Sequence, residues 1–279
     1  CLFNIISAYI REPEMLMKSL AIFPKSVSFA KKVKDARIDH IHAHFATHPV
    51  SAALIIHRLT GIAFTFSCHA HDIFFSASFL KPKFFEAKKV FTVSEYNRKY
   101  IFNLFPDMDR SHLEILRSPV DCQKFSYREP KITPGQLTIL SVGRLANMKG
   151  FPFLIEACRI LKTEGVKFSC HIVGGGPQKR DLELLVRKKD LENEVKLLGP
   201  VTEERLLEEY NNASILVLPC VPTRDKDRQD GLPAVLVEAM AVGIPVISTS
   251  ISGIPELVIN NDTGILVPPG EANPIAESV

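Results

Sequence analysis

One carboxylate falls where a carboxylate is costly. Glu238 lies inside Ala234-Val-Leu-Val-Glu-Ala-Met-Ala-Val242, a run apolar on nearly every face, which reads as a buried helix. A charge there needs a partner. It sits either in a structural ion pair or at a cleft, gripping a ligand hydroxyl. Asp230 precedes it with seven residues between, and Gly231-Leu232-Pro233 leads into the helix. A proline near a first turn gives up only an N–H that has no helical partner. Upstream, Gly143-Arg144 and Lys149-Gly150 place two cations and two glycines between a strand-like run and a helix-like one. Helix N–H groups, an arginine fork and a lysine point charge together favour a phosphate-like anion. A solvated surface loop would read the same way. Gly-x-x-x-x-Gly-Lys-Ser/Thr is absent, so this is not a Walker loop. Gly174-Gly175-Gly176 follows another apolar run and serves either a tight turn or close approach of backbone to a ligand. No Gly-x-Gly-x-x-Gly fingerprint with its acidic partner follows the first strand of this half, which argues against a dinucleotide dehydrogenase.

Seven of the nine histidines lie between positions 40 and 71. His40, His42 and His44 alternate, so on a strand they share a face. His69-Ala-His71-Asp72 has metal-like spacing, but the fuller His-x-His-x-Asp-His pattern stops at Ile73-Phe74, and nothing completes a His-Glu-x-x-His reading. The favoured role is a strand-end His69 facing a cleft as a hydrogen-bond donor. His40, His42 and His57 are then structural. A metal-dependent hydrolase using His42, His44, His69 and His71 is one rival chemistry. The six cysteines are scattered without a Cys-x-x-Cys pair, which suits a reducing, cytoplasmic compartment and disfavours a zinc ribbon.

The elements that must position these groups alternate. The first half reads as a helix over 11–37, a strand at 39–45, a helix from Pro49 closed by Gly61, and a strand at 63–68. A helix around Phe84, a strand at Val90, a helix capped by Ser94 and a strand at Leu113 follow. The second half reads as strands at 137–142, 168–173, 194–198, 214–218 and 245–249. These alternate with helices at 151–164, 177–189, 203–212, 232–242 and 254–259, and Leu266 lies in a last short strand. Apolar strands separated by amphipathic helices mean an α/β fold with a parallel sheet covered on both faces. Two prolines and a glycine within 126–136 mark a linker, so the expected domains are 1–125 and 137–279.

With 46% hydrophobic and 23% charged residues, the 279-residue chain is an ordinary globular one. No apolar run is long enough to span a bilayer, and Cys1-Leu-Phe-Asn-Ile-Ile6 lacks the basic flank of a signal peptide. Charge is uneven. Residues 1–133 hold 19 Lys+Arg against 12 Asp+Glu (net +7), and residues 134–279 hold 15 against 19 (net −4). A basic first half suits an anionic surface, such as the inner face of a membrane, or simply a solvated face. The cations are dispersed without an aromatic stacking platform, so nothing marks a nucleic-acid partner.

Taken in order, these motifs resemble retaining glycosyltransferases of family 4, which have the GT-B architecture of two Rossmann-like domains. Gly143-Arg144 to Lys149-Gly150 resembles the family's diphosphate loop. Asp230 and Glu238 resemble its Glu-x7-Glu motif, with Asp in the first place. Gly243-Ile-Pro-Val, Gly253-Ile-Pro-Glu256 and Gly264-Ile-Leu-Val-Pro-Pro-Gly270 match its consensus. The Asp-Gly-Leu-Pro and His-Ala-His-Asp-Ile-Phe stretches look most like bacterial exopolysaccharide enzymes of the colanic-acid type. The family's first strand with its glycine-rich loop, and its last helices, have no match here. The chain therefore reads as part of something longer, its N-terminal domain incomplete.

The resemblance implies a nucleoside-diphosphate sugar as donor, a hexose moved with retention to a saccharide or lipid-linked acceptor, and no cofactor or metal. Arg144 and Lys149, beside Gly143, would hold the diphosphate, and Glu238 the ribose hydroxyls. Asp230, with the main chain of Gly231, Leu232, Pro233 and Ala234, would contact the transferred sugar and its phosphate, as would His69 from the first domain. Gly174, Gly175, Gly176 and the Pro200-Val201-Thr202 loop would line the nucleoside pocket. The acceptor would attack from the leaving-group face, with the phosphate oxygen taking its proton and no side chain acting as nucleophile. A non-catalytic nucleotide-sugar-binding protein is the other rival.

Overall fold

The structure, a computed structural model, describes residues 2–74, 77–129, 137–223 and 231–279. Its contacts divide the chain into two units, one built on Cys1–Arg117 and the other on Ser118–Arg224 and Leu232–Val279.

The first unit opens with helices α1 (Leu2–Tyr9) and α2 (Pro13–Asp35). Strand β1 (His40–His44), helix α3 (His48–Thr60), strand β2 (Ala63–Cys68) and helices α4 (Ala70–Phe74) and α5 (Leu80–Glu86) follow. Strand β3 (Lys89–Thr92), helix α6 (Glu95–Leu104) and strand β4 (Leu113–Ile115) complete it. The sheet is parallel throughout, in the order β1-β2-β3-β4. Phe64, Phe66 and Val90 on the strands pack with Leu54 and Ile55 of α3, Phe84 of α5 and Ile101 of α6, all fully buried. Local signals set the element ends. Gly61, at φ 76°, closes α3 with its N–H on His57 O at 2.7 Å. The Ser94 hydroxyl accepts from Asn97 N at 3.1 Å and opens α6.

The second unit comprises β5 (Leu137–Val142), α7 (Phe151–Thr163), β6 (Phe168–Val173), α8 (Lys179–Lys188), β7 (Val195–Gly199), α9 (Glu203–Asn212) and β8 (Ile215–Leu218). Helix α10 (Ala234–Val242), strands β9 (Val246–Thr249) and β10 (Ile265–Val267) and helix α11 (Asn273–Ser278) follow. All six strands run parallel in the order β10-β9-β8-β5-β6-β7. Every residue of Val246–Thr249 is buried, as a strand covered on both faces requires. The order reverses at β5. The chain winds through β6 and β7 to one side, then returns to place β8 on the other.

The structure departs from the sequence reading in places. The apolar opening forms a helix of its own. His69-Ala-His-Asp is no simple strand end, because residues 70–74 turn into a short helix. Helix α10 begins at Ala234 rather than Leu232, with Pro233 in extended conformation at its cap. Residues 254–259 hold only a single 3₁₀ turn, Ile254–Glu256. The chain joins the second unit at Ser118, ahead of the expected linker. There Phe125 packs edge-on against Tyr210, ring centroids 5.8 Å apart, and Arg128 N donates to Val242 O at 3.1 Å. The rest of the expected linker, 130–136, lies outside the described residues. Among the described residues no helix is long and apolar enough to cross a membrane.

Candidate functional site

The order reverses between β5 and β8, and it is beyond the carboxyl ends of the strands at such a point that open α/β sheets take ligands in a crevice. Three connections meet there and are fastened through their main chains. Gly143 N donates to Val173 O at 3.0 Å, Leu145 N to Gly175 O at 2.9 Å, and Gln178 N to Leu145 O at 3.0 Å, which ties the turn after β5 to the one after β6. Gly174 N donates to Gly199 O at 2.9 Å, bringing in the end of β7. Val221 N donates to Met148 O at 3.0 Å, bringing in the segment after β8.

Two glycines make this closeness feasible. At Gly174, φ is 134°, and a Cβ would stand 2.0 Å from Gly143 O. At Gly150, φ is 68°, and a Cβ would stand 1.8 Å from Pro219 O. Of the two alternatives weighed for the glycine run, the tight turn is the one seen, with Gly174 packed against the main chain of Gly143. Gly174→Ala is expected to destabilise the fold by about 1–3 kcal/mol, the cost of forcing a side chain into a glycine-only conformation. The Gly143–Lys149 turn would move with it. A thermal melt at least as stable as wild type would show that the loops do not depend on this contact.

The cations sit on that anchored turn. Arg144 is exposed and has no hydrogen bond or ion pair among the described residues. The methylene stem of Lys149 lies over Gly143, where an added Cβ would meet its Cε at 3.2 Å. Across the reversal, α10 starts without a side-chain cap, leaving first-turn N–H groups unclaimed by any side chain. Glu238, half-buried on α10, has no ion pair among the described residues. Its Oε2 accepts a hydrogen bond of 2.8 Å from the Tyr210 hydroxyl. Of the two explanations for an acid in this helix, the structural ion pair is not seen among the described residues. Val201 is half-buried and precedes Thr202, whose hydroxyl caps α9 by accepting from Arg205 N at 3.4 Å. Gly231 and Pro233 are buried, Leu232 is half-buried and Ala234 is exposed. Asp230 lies outside the described residues.

In the first unit, His69 heads α4. The Asp72 carboxylate reaches back to its N–H at 2.7 Å, as the acid of a capping box does, and with its other oxygen takes Ala46 N. Lys83, fully buried, donates to Ala46 O at 2.7 Å and Thr47 O at 3.0 Å, fixing the same turn from below. The His69 ring stacks on His44 at 6.4 Å and leans on Phe45 at 5.1 Å. Burial first, and then His44, lower its pKa, so the imidazole is neutral at pH 7. His40 and His42 bond Thr65 Oγ1 at 2.9 and 2.7 Å, and His57 bonds Ile62 O at 2.9 Å, which are structural roles. Among the described residues no group of three or more His, Cys, Asp or Glu is placed to hold a metal. The hydrolase reading of His42, His44, His69 and His71 therefore has no ligand set there.

Tyr210 escaped the sequence reading, and Asp72 entered it only as part of a metal-like spacing, not as the acid that caps α4. Asp72 left one signal, an acid three residues after the helix-opening His69. Tyr210 left none, since its partner is 28 residues away on another helix.

A family model for glycosyl transferases group 1 matches residues 123–279, more than half of the chain. The chain belongs to that family. Within the glycosyltransferases, a family 4 model also matches residues 4–124. WcaL of Escherichia coli (strain K12), named as a colanic acid biosynthesis glycosyltransferase, is 42% identical over 168 residues, covering 60% of this chain and 41% of the relative. The amylovoran biosynthesis glycosyltransferase AmsK of Erwinia amylovora is 40% identical over 164 residues, 59% of this chain and 40% of its own. The matched stretch thus spans about 40% of the length of these two relatives. Among solved structures, Anabaena Alr3699/HepE in complex with UDP and glucose superposes with a TM-score of 0.76 at 17% identity, over 91% of this chain and 70% of that one. A glycosyltransferase from Rickettsia africae ESF-5 gives 0.72 at 20% identity, over 92% and 70%. At such identities the likeness speaks to fold, and the fold is that of GT-B glycosyltransferases.

Proposed function

We propose that the chain works as a glycosyltransferase that takes a hexose from a nucleoside-diphosphate sugar and passes it, with retention, to a saccharide or lipid-linked acceptor in exopolysaccharide synthesis. One observation carries this reading: Arg144 and Lys149 follow β5 and the Glu238 helix follows β8, the neighbouring strands at which the sheet order reverses. Breaking a glycosyl–phosphate bond builds negative charge on the departing diphosphate and positive charge on the sugar. Fixed cations at the phosphate stabilise the first as it grows, so no metal is required. Uncapped N–H groups at the start of α10 favour the same anion. Glu238 accepts hydrogen bonds from the ribose. The sugar contacts are assigned to His69 and to Asp230 with the Gly231–Ala234 main chain. Gly174–Gly176 and Val201 border the base. The names of WcaL and AmsK support the exopolysaccharide setting, and the UDP and glucose bound to HepE support the donor class. The basic first half suits peripheral contact with the inner membrane, where a lipid-linked acceptor would lie.

Calorimetric titration with UDP-, GDP- and ADP-glucose tests the donor reading. One of them is expected to bind saturably, and Glu238→Ala to weaken it at least about tenfold, since hydrogen bonds to a charged group contribute about 1.5–3 kcal/mol. Equal affinity in the variant would remove Glu238 from the site.

A further inference from the structure

We infer that Tyr210 is a positioning residue for the donor: its phenol holds one oxygen of Glu238 so that the other is presented to the ribose hydroxyls. The inference rests on the reading that Glu238 takes the ribose. Tyr210 is fully buried on α9, its ring locked edge-on against Phe125, in a core shared with Leu216, Leu236 and Ala239. Its hydroxyl is therefore a fixed point. It donates to Glu238 Oε2 at 2.8 Å, and Oε1 has no hydrogen-bond partner among the described residues. A glutamate on a helix ordinarily samples several rotamers, and ordering one side chain on binding costs affinity. A phenol bond made beforehand removes part of that cost and leaves a directed acceptor. Burial, and then the charge of Glu238, push the Tyr210 pKa far above its ordinary value, so the phenol keeps its proton near neutral pH. The consequence is a preference for ribonucleotides over their 2′-deoxy counterparts that depends on a residue the nucleotide never touches.

The test uses Tyr210→Phe, which keeps the ring, with Glu238→Ala and the double variant in the full chain. Calorimetry is run with UDP, GDP and ADP and with their 2′-deoxy forms, beside a thermal melt. Tyr210→Phe is expected to weaken the ribonucleotide about 3- to 10-fold and leave the deoxy form unchanged, the loss of one net hydrogen bond's worth of ordering. In the Glu238→Ala background the same change is expected to add nothing, as for two residues acting as a unit. Equal weakening of ribo and deoxy forms would make Tyr210 merely structural, and no weakening of either would make it irrelevant; each outcome overturns the inference. If instead Glu238→Ala keeps the ribo-to-deoxy ratio of wild type, the ribose reading of Glu238 has failed, whatever Tyr210 does.

Discussion

Arg144→Ala is expected to lower kcat/KM for sugar transfer about 100- to 1,000-fold, the usual loss when one preorganised donor to a developing oxyanion is removed. The expectation follows from the state of the side chain. Arg144 is exposed, and no described carboxylate neutralises it, so its full charge faces whatever anion enters the crevice. The turn beneath it is anchored by Leu145 N on Gly175 O at 2.9 Å, so no reorganisation is needed when charge builds. Because that charge grows toward the transition state, the loss should fall more on kcat than on KM. Arg144→Lys keeps the charge but loses the fork that meets two phosphate oxygens, and should recover only part of the rate. Steady-state kinetics with the donor that binds in calorimetry reads all three. Wild-type turnover in Arg144→Ala would remove the diphosphate from this turn.

Lys83→Met is expected to give the largest loss of stability. The ammonium is fully buried and serves the carbonyls of Ala46 and Thr47. Methionine matches its length but leaves both acceptors orphaned, at about 1–3 kcal/mol each. The loss should depend on pH. Burial pushes the Lys83 pKa down to about 7, while neighbouring Asp72, also buried, is pushed up to about 6. Between about pH 7 and the ordinary lysine value near 10.5, the unfolded chain holds a proton that the folded protein has released. Stability contributed by this group therefore rises with pH across that window, and below it the full cost of a buried ammonium remains. A neutral amine still has two N–H bonds for the two carbonyls. The deficit of Lys83→Met should thus be larger at pH 9.5 than at pH 7 in urea melts, and equal deficits would show that the amine keeps its proton throughout.

Much of this architecture was legible in the sequence, and the reasons are specific. Runs such as Val246–Thr249 and Ile215–Leu218 are apolar without alternation because the parallel sheet buries both faces. Gly61 and Ser94 announced their helix ends because left-handed closure and N-capping each call for a particular residue type. Arg144, Lys149 and Glu238 could be nominated because α/β ligands gather after strands, and that rule needs only the strand order. What stayed hidden was long-range. Residues 118–125 looked like a tail of the first domain, and 126–129 like linker, because nothing local says that Phe125 finds Tyr210, far along the chain. The short helix after His69 was hidden because its start is fixed by Asp72, which also binds Ala46 from a distant turn.

The fastening of the loops after β5, β6 and β8 largely through main-chain atoms, with Gln178 Nε2 on Asn147 Oδ1 at 2.6 Å as a side-chain addition, has a consequence for how such a protein could diversify. The bonds among Gly143, Leu145, Gly175, Gln178, Met148 and Val221 use N–H and C=O groups, which any non-proline residue supplies. Of the side chains at those positions, Leu145 is buried in the core and Gln178 bonds Asn147, while Met148 and Val221 are only half-buried. Residues that project from the turns could be exchanged to suit other ligands while the main-chain framework beneath them stays where it is.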